Sequence, residues 1–275
     1  MGIYFILRFQ IAGYWKLTST TVKIGRIDFW DRVITFPQSF VYYLKTFLLP
    51  INLTLNETWV VQAIDFESFY SPIILILIFL IILFGLYKLT PNNFKRHQIF
   101  LLTIFVLGTG LHSNILITLD ATVANRWFYL QSFALITYIS LATSQFIVNL
   151  VPNKIFIGMV TSAILISCWL SFTRASEWNS RLKFYTIEVL RNPDDSNFNN
   201  ALGSEYYQLG DLITAEKYFR KSVELDPKSW ANWNNLGIIE EIRGNLIEAE
   251  NSYARSINNG QFPAAMENYF RLLLK

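Results

Sequence analysis

Hydrophobic and polar positions divide this chain sharply into two parts. Between Ser71 and Thr173 four long apolar runs, charged only at Lys88 and Lys154 at their ends, alternate with short polar breaks: 72–89, 98–119, 127–150 and 154–173. A bilayer's hydrocarbon core takes roughly 20 apolar helical residues to cross. Inside lipid a segment must satisfy its own backbone polar groups, so runs of this kind are expected to be transmembrane helices. Before them, Ile3 to Trp15 is apolar but short and carries Arg8, as the remnant of a spanning helix would. Phe40, Tyr43, Leu44, Phe47 and Leu48 then recur at i, i+3, i+4, i+7 and i+8, one apolar face opposite Ser39, Tyr42, Lys45 and Thr46. With Pro37 suited to a first helical position, the pattern predicts a helix over 37–49. It is too short to span and is expected to lie along the membrane surface, within an outer segment that reaches to residue 70.

After Thr173 the pattern changes to amphipathic helices with a repeat. Leu202-Gly203 matches Leu236-Gly237, Gly210 matches Gly244, Ala215 matches Ala249 and Phe219 matches Tyr253, all at an offset of 34 residues. Pro227 closes the first unit, and Trp233 opens the helix of the second. This period with these residues is the tetratricopeptide signature. The small residues let paired helices approach closely, and the large ones fill the adjoining holes. A capping helix is expected at 176–191, repeats at about 196–229 and 230–263, and a partial third at 264–275. The fold class is therefore all-α: a polytopic helical membrane domain followed by a tetratricopeptide-repeat solenoid.

Charge sharpens the division. Residues 1–173 carry 11 Lys/Arg against 6 Asp/Glu, a net of +5; residues 174–275 carry 12 against 14, a net of −2. Neither part shows the clustered basic face of a nucleic-acid binder. Over the chain, 52% of residues are hydrophobic and the mean hydropathy is +0.31, averages that conceal this split. Lys88, Lys95, Arg96 and His97 fall in one break and Lys154 in another, so both breaks are expected on the cytoplasmic side. The 112–126 loop, the 16–70 segment and the repeats then face outside. The start lacks a charged n-region and a small-residue cleavage site, so no signal peptide is expected.

Candidate chemistry is sparse. His97 and His112 are the only histidines and fall on opposite sides in this topology, so no metal site is expected. There is no Gly-rich phosphate loop, no cofactor is implied, and the one cysteine, Cys168, lies inside an apolar run. Asp28 and Asp31 are read as a polar turn before a helix rather than a metal or acid/base pair. In the outer loop, Asp120 and Arg126 sit at or near membrane depth, where ionisable groups are costly. Two readings stay open: an Asp120–Arg126 ion pair that pins the loop, or Arg126 as a phosphate clamp beside Trp127, Phe128 and Tyr129, since a guanidinium fork matches phosphate oxygens. Among the repeats, Asn235 is placed either to hydrogen-bond a peptide backbone in the groove or as plain surface.

Taken together, Arg32, the run Tyr43 to Pro50, Leu119-Asp120-Ala121, Ala124 to Leu130 and the Trp178 entry to the repeats resemble the C-terminal half of bacterial tetratricopeptide-repeat membrane proteins of the GT-C glycosyltransferase superfamily. These are similar to the transmembrane O-mannosyltransferases that act on cadherins. The resemblance implies protein glycosylation outside the cytoplasm from a polyprenyl-phosphate-linked sugar. Its catalytic carboxylate lies upstream of anything present here, so no catalytic residue is assigned, and the chain is expected to be inactive alone, either as a fragment or as one half of a split enzyme whose other half is a separate chain. Arg126, with Lys45 and Arg32, would form the donor-phosphate side. The alternative is a membrane-anchored repeat scaffold that binds proteins or peptides without catalysis.

Overall fold

The computed structural model describes residues 23–51, 53–115, 118–119, 121–150, 152–260 and 263–274. The chain divides into two compact units after Ala163.

In the first unit, a helical turn at Lys23–Arg26 precedes α1, Phe29–Leu48. Asp28 occupies its N-cap position, and its carbonyl accepts the Arg32 N–H. The helix thus begins eight residues before the expected start, and Pro37 sits inside it. A proline there removes one ladder donor, the one the Val33 carbonyl would take; hydroxyls of the same stretch bond other carbonyls of the helix, Thr35 Oγ1 donating to that of Asp31 (2.8 Å) and Ser39 Oγ to that of Thr35 (3.1 Å). The apolar face is not left for a membrane surface either. Phe40 and Tyr43 are buried in the bundle core, with Phe40 edge-on to Phe79 and Phe105 at 5.7 and 6.1 Å.

α2 (Ser71–Leu89) follows a π-helical turn at Phe66–Tyr70, and α3 runs Lys95–Leu111, α4 Tyr129–Leu150 and α5 Asn153–Glu177. Among the described residues, two helices combine the length and apolar composition needed to cross a bilayer, Phe66–Leu89 and Lys154–Glu177. The run 98–119 is not one helix. α3 has 17 residues, about 25 Å at 1.5 Å per residue, short of a hydrocarbon core of about 30 Å. Its end is set by side-chain chemistry. Asn114, with φ 59°, takes the left-handed conformation that Asn tolerates. Its amide donates to the carbonyls of Ala121 and Thr122 (3.0 and 2.9 Å), and its oxygen accepts from Leu119 N (2.7 Å). A short antiparallel pair, β1 (Asn56–Glu57) and β2 (Val123–Ala124), knits this loop to the one after α1 in the register Asn56↔Ala124.

The second unit holds the last turns of α5 and six further helices among the described residues: α6 (Arg181–Arg191), α7 (Ser196–Gln208), α8 (Leu212–Leu225), α9 (Trp230–Ile242), α10 (Leu246–Asn259) and α11 (Pro263–Leu273). Starts are capped as the sequence implies: Ser180, Asp195, Asp211 and Ser229 each accept a backbone N–H of the following turn. Gly210 and Gly244, at φ 80° and 83°, make the turns between paired helices, where any residue with a Cβ is strained. The α7–α8 and α9–α10 pairs close on glycine. A Cβ at Gly203 would lie 2.8 Å from the Phe219 ring, and one at Gly237 2.8 Å from Tyr253. Leu202, Leu236, Ala215 and Ala249 fill the spaces between them.

Candidate functional site

The repeat array is the first candidate. Its A helices, α7, α9 and α11, are stitched together by a row of amides: Asn235 Nδ2 donates to Asn200 Oδ1, and Asn268 Nδ2 to Asn234 Oδ1, both at 3.0 Å. Asn200, Asn234 and Asn268 recur at the repeat period. Asn235 therefore joins two helices of the array, where the sequence left a choice between peptide groove and plain surface. Two carboxylates, each held by one hydroxyl and one arginine, order the array. Buried Glu240 accepts from Ser252 Oγ (2.6 Å) and Arg220 Nη2 (3.0 Å). Glu241 accepts from the Tyr253 hydroxyl (2.8 Å) and Arg271 (3.2 Å). Burial, with the neighbouring Glu241 carboxylate, pushes the Tyr253 hydroxyl up from the usual phenol range, so it acts as a fixed donor. Trp233 donates from Nε1 to the Pro227 carbonyl (2.8 Å) and carries the Arg255 guanidinium over its ring at 4.6 Å. Tyr207, Ile242 and Phe270 on the A helices stay exposed, at three different positions of the repeat; Phe270 holds the place that Leu202 and Leu236 bury in the earlier units.

At the head of the array, Arg191 grips Glu177 with both guanidinium nitrogens at 2.7 Å, Arg174 bonds the same carboxylate, and Arg174 also reaches fully buried Glu188 at 2.6 Å. The Arg191 fork, with Arg174 behind it, holds the Glu177 carboxyl down at about 2.

The second candidate is the loop end of the first unit. Tyr43 stacks flat on Phe128 (4.9 Å, 8°), and its hydroxyl accepts from Ala124 N at 3.1 Å. Burial pushes that hydroxyl up from the usual phenol range. Asn125 Nδ2 donates to the Thr54 carbonyl at 2.9 Å. Trp127 stacks on His112 at 5.7 Å and lies under the Arg126 guanidinium at 5.5 Å. His112 Nδ1 is 2.8 Å from the Gly108 carbonyl and 3.3 Å from Gln131 Nε2; the shorter contact makes Nδ1 the donor to Gly108. The cavity behind these residues, bordered by Tyr43, His112 and Gln131, is about 10 Å³, room for one water and not for a sugar phosphate.

The three cations expected to share a donor phosphate are not brought together. Arg32 and Lys45 lie on α1 thirteen residues apart, about 20 Å along the axis, beyond the span of one phosphate. Arg32 sits over Phe29 at 6.0 Å, and Lys45 is exposed in the last turn of α1. Arg126 is the one of the three within electrostatic reach of Tyr43. Asp120, and with it the proposed ion pair, lies outside the described residues, as does the 3–15 stretch. Sequence reasoning passed over Asn114, Gln131 and Gln98. The signal was present: each is an amide inside or beside an apolar run, where a polar side chain needs a reason.

Against known proteins, residues 196–229 match one tetratricopeptide repeat family model and residues 218–251 a second. Among solved structures, a first tetratricopeptide domain of Spaghetti (RPAP3), bound to the HSP90 peptide SRMEEVD, is similar at 16% identity and TM-score 0.34 over 41% of this chain and 90% of that one. The Arabidopsis OM64 tetratricopeptide domain is similar at 19% identity and TM-score 0.33 over 42% and 95%. No curated protein matches. The two family matches make residues 196–251 tetratricopeptide repeats.

Proposed function

We propose that this chain is a membrane-anchored adaptor whose tetratricopeptide repeats bind an extended segment of a protein partner outside the cytoplasm. The observation that carries the reading is the amide-stitched row of A helices with uncovered Tyr207, Ile242 and Phe270 on them. The stitched helices form a rigid scaffold with exposed apolar side chains, and rigidity lowers the ordering cost of binding. Anchoring is supported by the inverted composition of the first unit: Ile81 and Phe100 are 70% and 65% exposed, while Gln98, Gln131 and Asn114 are buried. Apolar outside with amides inside is the arrangement a lipid solvent favours. The test is selection of peptides from a displayed library against the full chain in detergent. Tyr207→Asp with Ile242→Asp is expected to weaken the selected peptides more than about tenfold; unchanged affinity would sink the reading. Protease added to spheroplasts should remove the region beyond Thr173, and protection until lysis would place it on the cytoplasmic side.

A second reading follows from Arg126 on its aromatic bed near Tyr43. It makes the first unit the donor-phosphate side of a GT-C-like glycosyltransferase that requires a separate catalytic chain. Transfer from a polyprenyl-phosphate sugar in a reconstituted pair should fall on Arg126→Ala; transfer unchanged by that substitution would remove the assignment.

A further inference from the structure

Charge is sorted between the two layers of the repeats. Between Ser196 and Asn259 the sequence carries six cations: Lys217, Arg220, Lys221, Lys228, Arg243 and Arg255. All of them lie on the B helices α8 and α10 or in the turns, and the A helices α7 and α9 contain none. The three acids of α7 and α9 are already held. Glu205 meets Arg181 of α6 at 2.8 Å, Glu240 meets Arg220 at 3.0 Å, and Glu241 takes the Tyr253 hydroxyl at 2.8 Å and Arg271 at 3.2 Å. Arg271 is the one cation of α11, Pro263–Leu273, so the third A helix adds no uncommitted positive charge.

What stays accessible on α7 and α9 forms a continuous face. Asn197, Ala201 and Ser204 fall at i, i+4 and i+7 on α7, one side of a helix. Ala231, Asn235 and Ile238 hold the same places one repeat later on α9. All six are exposed or half-buried, while Leu202 and Leu236 turn inward. The hydrogen bond from Asn235 to Asn200, at 3.0 Å, joins the two helices along this face. An amide has both donors and an acceptor, so the face offers neutral hydrogen-bonding groups and small apolar ones. A carboxylate that leaves water here finds no cation in exchange for its hydration, and an ammonium finds no free acid. A hydroxyl or amide side chain loses far less, because another amide replaces its water.

We infer that the repeats select an uncharged polar segment: an extended stretch of hydroxyl, amide and small apolar side chains, with acids excluded from the part that lies on α7 and α9. The selectivity rests on the peptide-binding reading and adds the partner's chemistry to it.

The experiment displays peptides of random composition, selects them against the full chain in neutral detergent and sequences those retained. Asp and Glu should be depleted about tenfold relative to the starting library, with Ser, Thr, Asn and Gln enriched. The affinity of a selected peptide should change less than about twofold between roughly 0.05 and 0.5 M salt, since no ion pair is there to be screened. One Asp placed at its centre should weaken it about tenfold. Asn197→Lys with Ala231→Lys, which puts two cations at matching places on the face, should recover that loss in protein whose helical circular dichroism is unchanged. The library result stands without this variant. Retained peptides rich in acids or bases, or an affinity that falls steeply with salt, overturn the selectivity and leave the repeats a peptide binder. A library from which no peptide is retained overturns the peptide-binding reading and the selectivity together.

Discussion

The two units solve the same packing problem with opposite materials. In the repeats, apolar side chains close on glycine: Phe219 lies against Gly203 and Tyr253 against Gly237 so tightly that no Cβ fits. In the first unit, Gly85 and Gly158 have nothing within 4 Å, and large aliphatic residues face outward. Its interior combines an aromatic core, in which Phe40 meets Phe105 and Tyr43 meets Phe128, with amides: Gln98 to Tyr138, Asn114 to three backbone groups, and Gln131 against Gly108. A water-soluble array is held by exclusion of water from apolar contacts. A bundle with apolar surroundings gains little from that effect and relies on close approach and hydrogen bonds.

This contrast can be broken or sharpened by substitution. The largest effect is expected at Gly237→Val, which drives a side chain into the Tyr253 ring and should destabilise the repeats by about 3 kcal/mol; a lowered urea midpoint of helical circular dichroism measures it. Gly85→Val, with open space around it, should leave the same curve in place, and a matching loss there would erase the distinction between the units. Next is Gly108→Val. A Cβ there would lie 2.9 Å from Gln131, and about 2 kcal/mol of stability in detergent should go, read as a lower thermal midpoint. If that midpoint holds, α3 and α4 are not closely packed.

A smaller effect concerns acid. The Glu177 carboxyl titrates at about 2 in the folded chain, below its ordinary 4.5. A group depressed on folding contributes its stability above the unfolded value and loses it as pH falls through the folded one. Between pH 5 and pH 2 the grip on Arg191 should therefore weaken, by about 1–2 kcal/mol after solvent screening at this partly exposed cluster. Urea titrations at the two pH values measure the loss, and Glu177→Gln should flatten it; an unchanged pH dependence in that variant would assign the effect to other acids. The smallest is Tyr43→Phe. It removes the acceptor of the Ala124 N–H and should cost about 1 kcal/mol, with faster hydrogen exchange confined to the 121–128 loop. Exchange unchanged there would show that the hydroxyl does not hold the loop.

How much of this was legible depends on where each element's reasons lie. The repeats were readable because Gly203, Ala215 and Phe219 meet one another within a single 34-residue unit and recur in the next, so spacing encodes contact. The helix over 37–49 was misplaced because Pro37 reads locally as a first-turn residue, whereas α1 runs through it from Phe29 at the loss of one ladder bond. The run 98–119 looked like one span because hydropathy ignores the amide of Asn114, whose partners are Leu119, Ala121 and Thr122. Arg32, Lys45 and Arg126 looked like one clamp because sequence gives charge without distance.

The sequence by itself determined the helices, their repeat and the division between a greasy and an amphipathic part, since those follow from periodicity and composition along the chain. Which polar groups meet was decided by tertiary structure alone: the pairing of Asn235 with Asn200 and the reach of Gln98 to Tyr138. A hydrogen bond is fixed by positions to within a fraction of an ångström, and only the packed helices set those positions.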